Sequence, residues 1–324
     1  MNRALAAALT SVAAAGAARA AYAVLTRRPP GGEKTWTRVN HRGEPVTLLE
    51  GPAVAAGAVL VQILRGVPGG RPPGLAQYSE RARSSARPAQ ALALAGAGAF
   101  GFGVYDDLAG SGKRRGLRGH LGALANGEVT TGAVKLGGLG VTGLASALLL
   151  GGEPADVAVN AGLVAGGANL LNLFDLRPGR AIKVATLSAA LIKAGAPELG
   201  GQAVAAPLGA ALALLPDDLG ERAMLGDAGA NALGAMLGGA AAVSLPRPAR
   251  IALLAGIVAL TGASENVSFT KVIEAVPPLR WLDMLGRRPP AAADAAPAPW
   301  EAEPPEVAAV RSGEDPEASA RREP

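Results

Sequence analysis

The stretch Ala89-Gln-Ala-Leu-Ala-Leu-Ala-Gly-Ala-Gly-Ala-Phe-Gly-Phe-Gly-Val-Tyr105, closed by Asp106-Asp107, decides the fold class. It is an apolar run long enough to approach a bilayer crossing, and it ends in two adjacent carboxylates. Such a pair at a membrane boundary is costly unless it faces water, binds a cation or pairs with a base. A solvated helix end is the plainer account of a lone Asp-Asp. Repetition argues against it here, because acidic residues also stand at the ends of later apolar runs, at Asp175, at Asp217 with Asp218, and at Asp227.

The composition points the same way. Hydrophobic residues make up 49% of the 324 positions and charged residues only 18%, low for a soluble domain. Aromatic residues are sparse, so packing must rely on Leu, Val, Ala and the 45 glycines, which let helices approach closely. The absence of Cys excludes disulfides and thiolate metal sites. The net charge of +5 is carried in short basic blocks beside apolar runs, without interleaved aromatics. Membrane orientation explains those blocks better than nucleic acid does, so no nucleic-acid partner is expected.

The apolar runs predict an all-α polytopic membrane protein with about nine transmembrane helices, in a range of roughly eight to ten. They lie near 4–24, 52–66, 89–105, 131–150, 157–174, 181–197, 201–215, 228–245 and 249–263. The stretch 1–25 has features of a signal peptide, but the many later spans favour a retained first helix. Connections after odd-numbered spans carry Arg27, Arg28, Lys34, Arg38 and Arg42, then Lys113, Arg114, Arg115 and Arg118, then Arg177 and Arg180. By the positive-inside rule these are cytoplasmic, the N-terminus is outside and the C-terminal tail is cytoplasmic. Arg71, Arg81, Arg83 and Arg87 run against that pattern, as do Arg247 and Arg250. The same alternation puts all the acidic residues above on the cytoplasmic side, the expected face of an active site. Residues 1–285 form the expected transmembrane domain. The Pro-, Ala- and Glu-rich 286–324 form an expected disordered tail.

The polar motifs indicate phosphoryl chemistry. Asp106, Asp107 and Asp227 offer hard oxygen ligands suited to Mg²⁺ or Mn²⁺, and there is no dense His cluster for zinc. Gly110-Ser-Gly-Lys113-Arg-Arg-Gly116, followed by Arg118 and His120, is a basic loop able to receive a pyrophosphate, or simply a topogenic one. It is not a nucleotide-binding P-loop, since Arg114 replaces the Ser or Thr that should follow Gly-Lys. In Asn169-Leu-Leu-Asn172-Leu-Phe-Asp175 the polar residues recur every three positions, so they share a stripe of an apolar helix. That stripe fits a pocket or interhelical glue. Lys135 and Lys183 lie near the same ends of their spans, where they snorkel or add positive charge to the pocket. Small residues around Asp227, in Leu225-Gly-Asp-Ala-Gly-Ala-Asn231, allow a tight helix entry with free N–H groups for a phosphate.

Tyr105-Asp-Asp107, the Asn-x-x-Asn-Leu-x-Asp run at 169–175 and the Gly-Asp-x-Gly-x-x-x-Leu-Gly run at 226–234 occur in that order. Together they resemble the polyprenyl-phosphate N-acetylhexosamine-1-phosphate transferases, over roughly residues 35–285. Asn40-His-Arg-Gly-Glu-Pro45 resembles the first cytoplasmic loop of that family. The resemblance implies transfer of a sugar-1-phosphate from a UDP-sugar to a polyprenyl phosphate at the cytoplasmic face, with Mg²⁺ and release of UMP, in cell-wall or surface-glycan synthesis. It also implies a catalytic or metal-adjacent role for Asp106 and Asp107, a metal role for Asp227, and a nucleotide-sugar pocket lined by Asn172 and Asp175. Asn169, Lys113 and Lys135 join the expected substrate-binding set, and a homodimer is left open.

The chain departs from that family at three places, one of them the lack of a clear last span after Ile273. Asp175 is followed by Leu-Arg177-Pro178-Gly-Arg180 where the family carries a second acidic residue, and the family's late His-rich loop is replaced by Ser264–Lys271. The acceptor phosphate would attack the β-phosphorus directly, or an Asp would attack first and form a covalent intermediate. A non-catalytic membrane scaffold is the main alternative, and a transporter a further one.

Overall fold

An apolar segment in a low-dielectric surrounding must satisfy its backbone groups within itself, and the apolar runs fold accordingly as helices. The computed structural model describes residues 3–67, 76–110, 119, 122–123 and 126–289, with only the backbone of 76–85. α1 (Arg3–Arg27) leads through the short α2 (Glu33–Trp36) into a hairpin of β1 (Thr37–Val39) and β2 (Pro45–Thr47). There follow α3 (Glu50–Gly66), α4 (Ala76–Ala109), α5 (Thr131–Leu150), α6 (Pro154–Phe174), α7 (Arg180–Gly195), α8 (Pro197–Leu219), α9 (Gly226–Ser244) and α10 (Arg247–Ser264). The short α11 (Phe269–Ala275) and α12 (Pro277–Met284) end the ordered series. A first unit covers Met1–Arg287; of the second, Arg288–Pro324, nearly all lies outside the described residues, and with it the expected disordered tail.

The expectation of about nine membrane spans is corrected. Among the described residues four helices are long and apolar enough to cross a membrane, namely α1, α5, α6 and α8. A fifth is reached only if α10 and α11, bent by 96° at a short break, count as one span. A helix sits at every expected position, but α3 has 17 residues and α7 has 16, too short to cross unaided. α4 is long but begins in a polar segment, and α9 is so rich in Gly and Ala that its apolarity falls short. Several long apolar helices remain, consistent with membrane association. The alternating inside–outside assignment of loops falls with the nine-span count.

α9 is the axis of the bundle. Nearly every residue from Gly226 to Ala242 is buried, and α6, α4, α8, α3 and α7 all pack on it. Its polypeptide is small enough for this because glycine replaces side chains where backbones touch. A Cβ on Gly238 would overlap the Leu163 carbonyl, and one on Gly234 the Gly167 carbonyl. The main hydrophobic core gathers around it, with Leu163, Ile182, Leu214, Leu233 and Met236 among its largest members. Ala and Leu side chains thus supply the burial, at roughly 25 cal/mol per Å² of apolar surface, and glycine supplies the proximity.

The hairpin is fastened to the loop between α8 and α9. β1 and β2 pair Arg38 with Val46, and Gly43 at φ 80° closes the turn. The Thr47 N–H donates to the Arg222 carbonyl at 3.3 Å, and the Met224 N–H donates back to Thr47 at 3.0 Å. This brings residues 37–47 over the same end of the bundle where α9 begins.

Candidate functional site

The site is organised by the N-terminus of α9, where three backbone N–H groups lack helical partners. Gly226 enters the helix at φ 61°, a left-handed conformation that favours glycine. Its N–H donates to the Asp175 carboxylate at the end of α6. The next two N–H groups, of Asp227 and Ala228, donate to Asp107 Oδ1 at 3.0 Å and Oδ2 at 2.9 Å. Negative charge at a helix N-terminus is favoured by the free donors and by the helix dipole. Gly103, one turn before the dyad, lets α4 lie against the Asp227 carbonyl, where a Cβ would overlap it.

The two members of the dyad therefore differ. Asp107 has both oxygens engaged by the backbone of α9, and its own carbonyl accepts from Arg38 Nη2 at 2.6 Å. Asp106 faces α5 instead, and its Oδ2 lies 2.7 Å from Lys135 Nζ. The same ammonium donates to Asp227 Oδ2 at 2.6 Å. Thr131, one turn before Lys135 and on the same helix face, also hydrogen bonds Asp106. Three helices distant in sequence thus place two carboxylates around one cation.

The electrostatics follow from this sharing. Burial opposes ionisation of Asp106, but hydrogen bonds with Asp227 and Lys135, and the Lys135 charge, outweigh it and hold the carboxyl at about 2. Burial and the hydrogen bond with Asp106 push Asp227 up to about 7, against the opposing pull of Lys135. Two carboxylates in contact divide their affinity for protons in this way, one easily ionised and one not. Burial also raises Asp107, against the pull of its two backbone hydrogen bonds.

A second group of acids lies behind Asp175. Asp175 Oδ2, Asp218 Oδ2 and both oxygens of Glu50 are buried without a hydrogen-bond partner among the described residues. Burial, then the charges of Asp218 and Asp227, raise Asp175 well above the usual carboxylate range, and burial with Asp218 and Asp175 does the same to Glu50. Asp175 and Asp218 line a cavity of about 190 Å³ with Asn40, His41, Arg177 and Glu221. Glu221 is occupied: it accepts from Asn40 Nδ2 at 2.9 Å and from Arg42 Nε at 2.9 and 3.1 Å.

Of the residues singled out in the sequence, Asp106, Asp107, Lys135 and Asp227 come together, and Asp175 joins them through Gly226. Asn169 and Asn172 are partly buried, and their side chains make no hydrogen bond among the described residues. Lys113, with the rest of the basic loop at 111–118 and His120, lies outside the described residues. Arg38, Glu50, Thr131 and Glu221 were not expected. Only Thr131 carries a signal in the sequence, its spacing of four from Lys135.

The fit to a metal is limited. Among the described residues no group of three or more His, Asp or Glu could hold an ion. The site offers two carboxylates, Asp106 and Asp227, with an ammonium between them. That is not an all-protein cage, although Mg²⁺ often takes one or two carboxylates and completes its shell from substrate phosphates.

No family model matches the chain. No protein of curated function matches it either. Together with four or at most five membrane-length helices, this overturns the assignment to the polyprenyl-phosphate sugar-phosphate transferases, whose many-span architecture the chain does not reproduce.

Proposed function

We propose that the protein is a membrane-associated phosphoryl transferase that moves a sugar-1-phosphate from a UDP-sugar to a polyprenyl phosphate. The reading is supported above all by Lys135 Nζ, which lies within 2.7 Å of Asp106 and 2.6 Å of Asp227 beside a helix N-terminus. An acid poised low, a second poised near neutrality and a cation between them are groups that a transferring phosphoryl needs for positioning and charge neutralisation. In the reaction, an acceptor phosphate oxygen bonds to the β-phosphorus, the bond from that phosphorus to the bridging oxygen breaks, and UMP leaves with the electron pair.

Asp106 is the member of the dyad assigned to the reacting groups, and Asp107 is a positioning residue that fixes the start of α9. Asp227 and Asp106 would be the protein ligands of Mg²⁺, or of Mn²⁺ in its place. When bound it would neutralise charge on the pyrophosphate. Lys135 serves the same end from the protein side. The multi-pass placement in the cell membrane and the use of the cytoplasmic face belong to this reading.

A non-catalytic scaffold is the second reading, favoured by one specific observation. Both oxygens of Asp107 are committed to capping α9, which makes part of the conspicuous acidic motif structural. The test is direct. Purified protein is incubated with Mg²⁺, polyprenyl phosphate and a panel of labelled UDP-sugars. Labelled lipid product or UMP supports transfer, and its loss in Asp106→Asn supports the assigned residue. No product across the panel favours the scaffold.

A further inference from the structure

α12 is inverted for a helix that rests on a protein in water. Its one carboxylate, Asp283, turns inward and is 7% exposed. Asp283 accepts from Arg180 Nε and Nη2 at 2.7 and 3.0 Å and from Arg287 Nη1 at 2.8 Å. Trp281 and Leu285, which closes the last turn, stand two positions to either side, about 160° around the helix from Asp283. They are 67% and 51% exposed, and Pro278 on the same outer face is exposed with them. An amphipathic helix in water buries its apolar stripe and turns its charge outward. α12 buries the charge and presents the apolar face.

The segment leading into α12 has the same bias. α10 packs chiefly on α6 and leaves Ile251, Val258 and Leu260 exposed. At 265–268 the chain bends by 96° into α11. α11 is tied back to the bundle by Phe269, stacked on Phe174 at 5.0 Å, and by Thr270, whose hydroxyl accepts from Arg180 Nη1 at 2.9 Å. Val272, and Val276 just beyond the helix, are exposed. Lys271 and Arg280 are exposed beside these apolar residues, and Glu274 is the one exposed carboxylate in 269–284. An apolar helix that turns through about a right angle leaves the direction of a span for the plane of a surface.

We infer that α11 and α12 lie on a bilayer surface, with Trp281 and Leu285 in the headgroup–acyl boundary and Lys271 and Arg280 on anionic lipid headgroups. Two helices of seven and eight residues are too short to cross, so they lie in the plane. An indole suits that boundary because its ring is apolar and its N–H is polar. Lys and Arg have stems long enough to reach the headgroups from a helix flank. Continuity with the exposed apolar face of α10, together with these two cations, selects a lipid surface over a protein partner. The inference needs only membrane association, so it and the proposed reaction fail separately.

The test reads tryptophan fluorescence of the full-length protein in vesicles of phosphatidylcholine and phosphatidylglycerol. The phosphatidylcholine is brominated either near the headgroup or near the chain end, and the signal lost on Trp281→Phe is the share of Trp281. Shallow bromines should quench that share at least about twofold more than deep ones. The double variant Lys271→Glu with Arg280→Glu should lower the shallow quenching by about half. Both variants should unfold at the parent temperature, since all three side chains are exposed. Stronger quenching from deep bromines, or an unchanged value in the double variant, would overturn the inference. So would the absence of Trp281 quenching, and cross-linked dimers that need Trp281 would then assign the face to a second copy of the chain.

Discussion

Asp107 and Asp227 are joined side chain to main chain: Asp107 Oδ1 accepts the Asp227 N–H at 3.0 Å while the Asp227 side chain turns away to Lys135. A residue that invites reading as a metal ligand is thereby a helix cap, and the residue it caps carries the carboxyl that faces the cation. Capping by a carboxyl that accepts two backbone N–H groups predicts a stability cost when it is removed. Asp107→Ala should destabilise the folded protein by about 2 kcal/mol, and Asp107→Asn by less, since an amide oxygen still accepts one of the two bonds. Thermal unfolding in micelles measures both.

Lys135 separates two carboxylates, so removing its charge should be costly in a pH-dependent way. Lys135→Met is expected to destabilise by about 3 kcal/mol at pH 8, where Asp106 and Asp227 would both be ionised and unpaired. At pH 5 the loss should be smaller, because Asp227 accepts a proton. An equal loss at the two pH values would show that Lys135 acts by packing alone.

Asp227 and Asp106 have opposite linkage to pH. Asp227 rises from 3.8 to about 7 on folding, so the folded state holds its proton more tightly. Its contribution to stability is fully present below about pH 4 and is lost as pH rises through about 7. Asp106 falls to about 2, so its contribution is present above about pH 4 and is lost as pH falls through about 2. Between pH 4 and 7 the Asp227 slope should be visible in unfolding midpoints, and Asp227→Asn should flatten it. An unchanged slope in that variant would place the proton elsewhere.

Glycines at helix crossings should be intolerant where the partner is backbone. Gly238→Val, facing the Leu163 carbonyl, should cost more than about 3 kcal/mol or prevent folding. Gly137→Ala has open space around its Cβ and should be neutral or stabilising by up to about 1 kcal/mol. Expression level and unfolding temperature of the two variants give the comparison.

Asp283 holds Arg180, Arg287 and, through its carbonyl, Lys183. Asp283→Ala should leave two buried guanidinium groups unpaired and destabilise by about 3–5 kcal/mol. Double substitution with Arg180→Met should recover part of that loss, which a double-mutant cycle would read directly.

The places of the helices were legible in the sequence because hydrophobic runs are local. Each of the nine apolar stretches is a helix, and 131–150 is one at the same bounds. Their capacity to cross a membrane was not legible from those runs alone. α3 and α7 are too short, and α9 is enclosed by other helices instead of presenting an apolar surface. The polar residues of α6 show the same limit. The three-residue spacing aligned Asn169, Asn172 and Asp175, yet only Asp175, at the helix end, bonds to the start of α9.

The sequence by itself determined that Asp106, Asp107, Asp175 and Asp227 stand at the ends of apolar runs, since local hydropathy dictates where those runs begin and stop. Tertiary structure alone decided their tasks. Asp106 and Asp107 are neighbours in the chain, but successive residues on a helix point about 100° apart, so one meets Lys135 of α5 and the other meets the backbone of α9. Lys135 and Asp227 lie 92 positions apart, and nothing local in either segment specifies that contact. It follows from the packing of α5 on α4 and of α4 on α9, a property of the packed bundle.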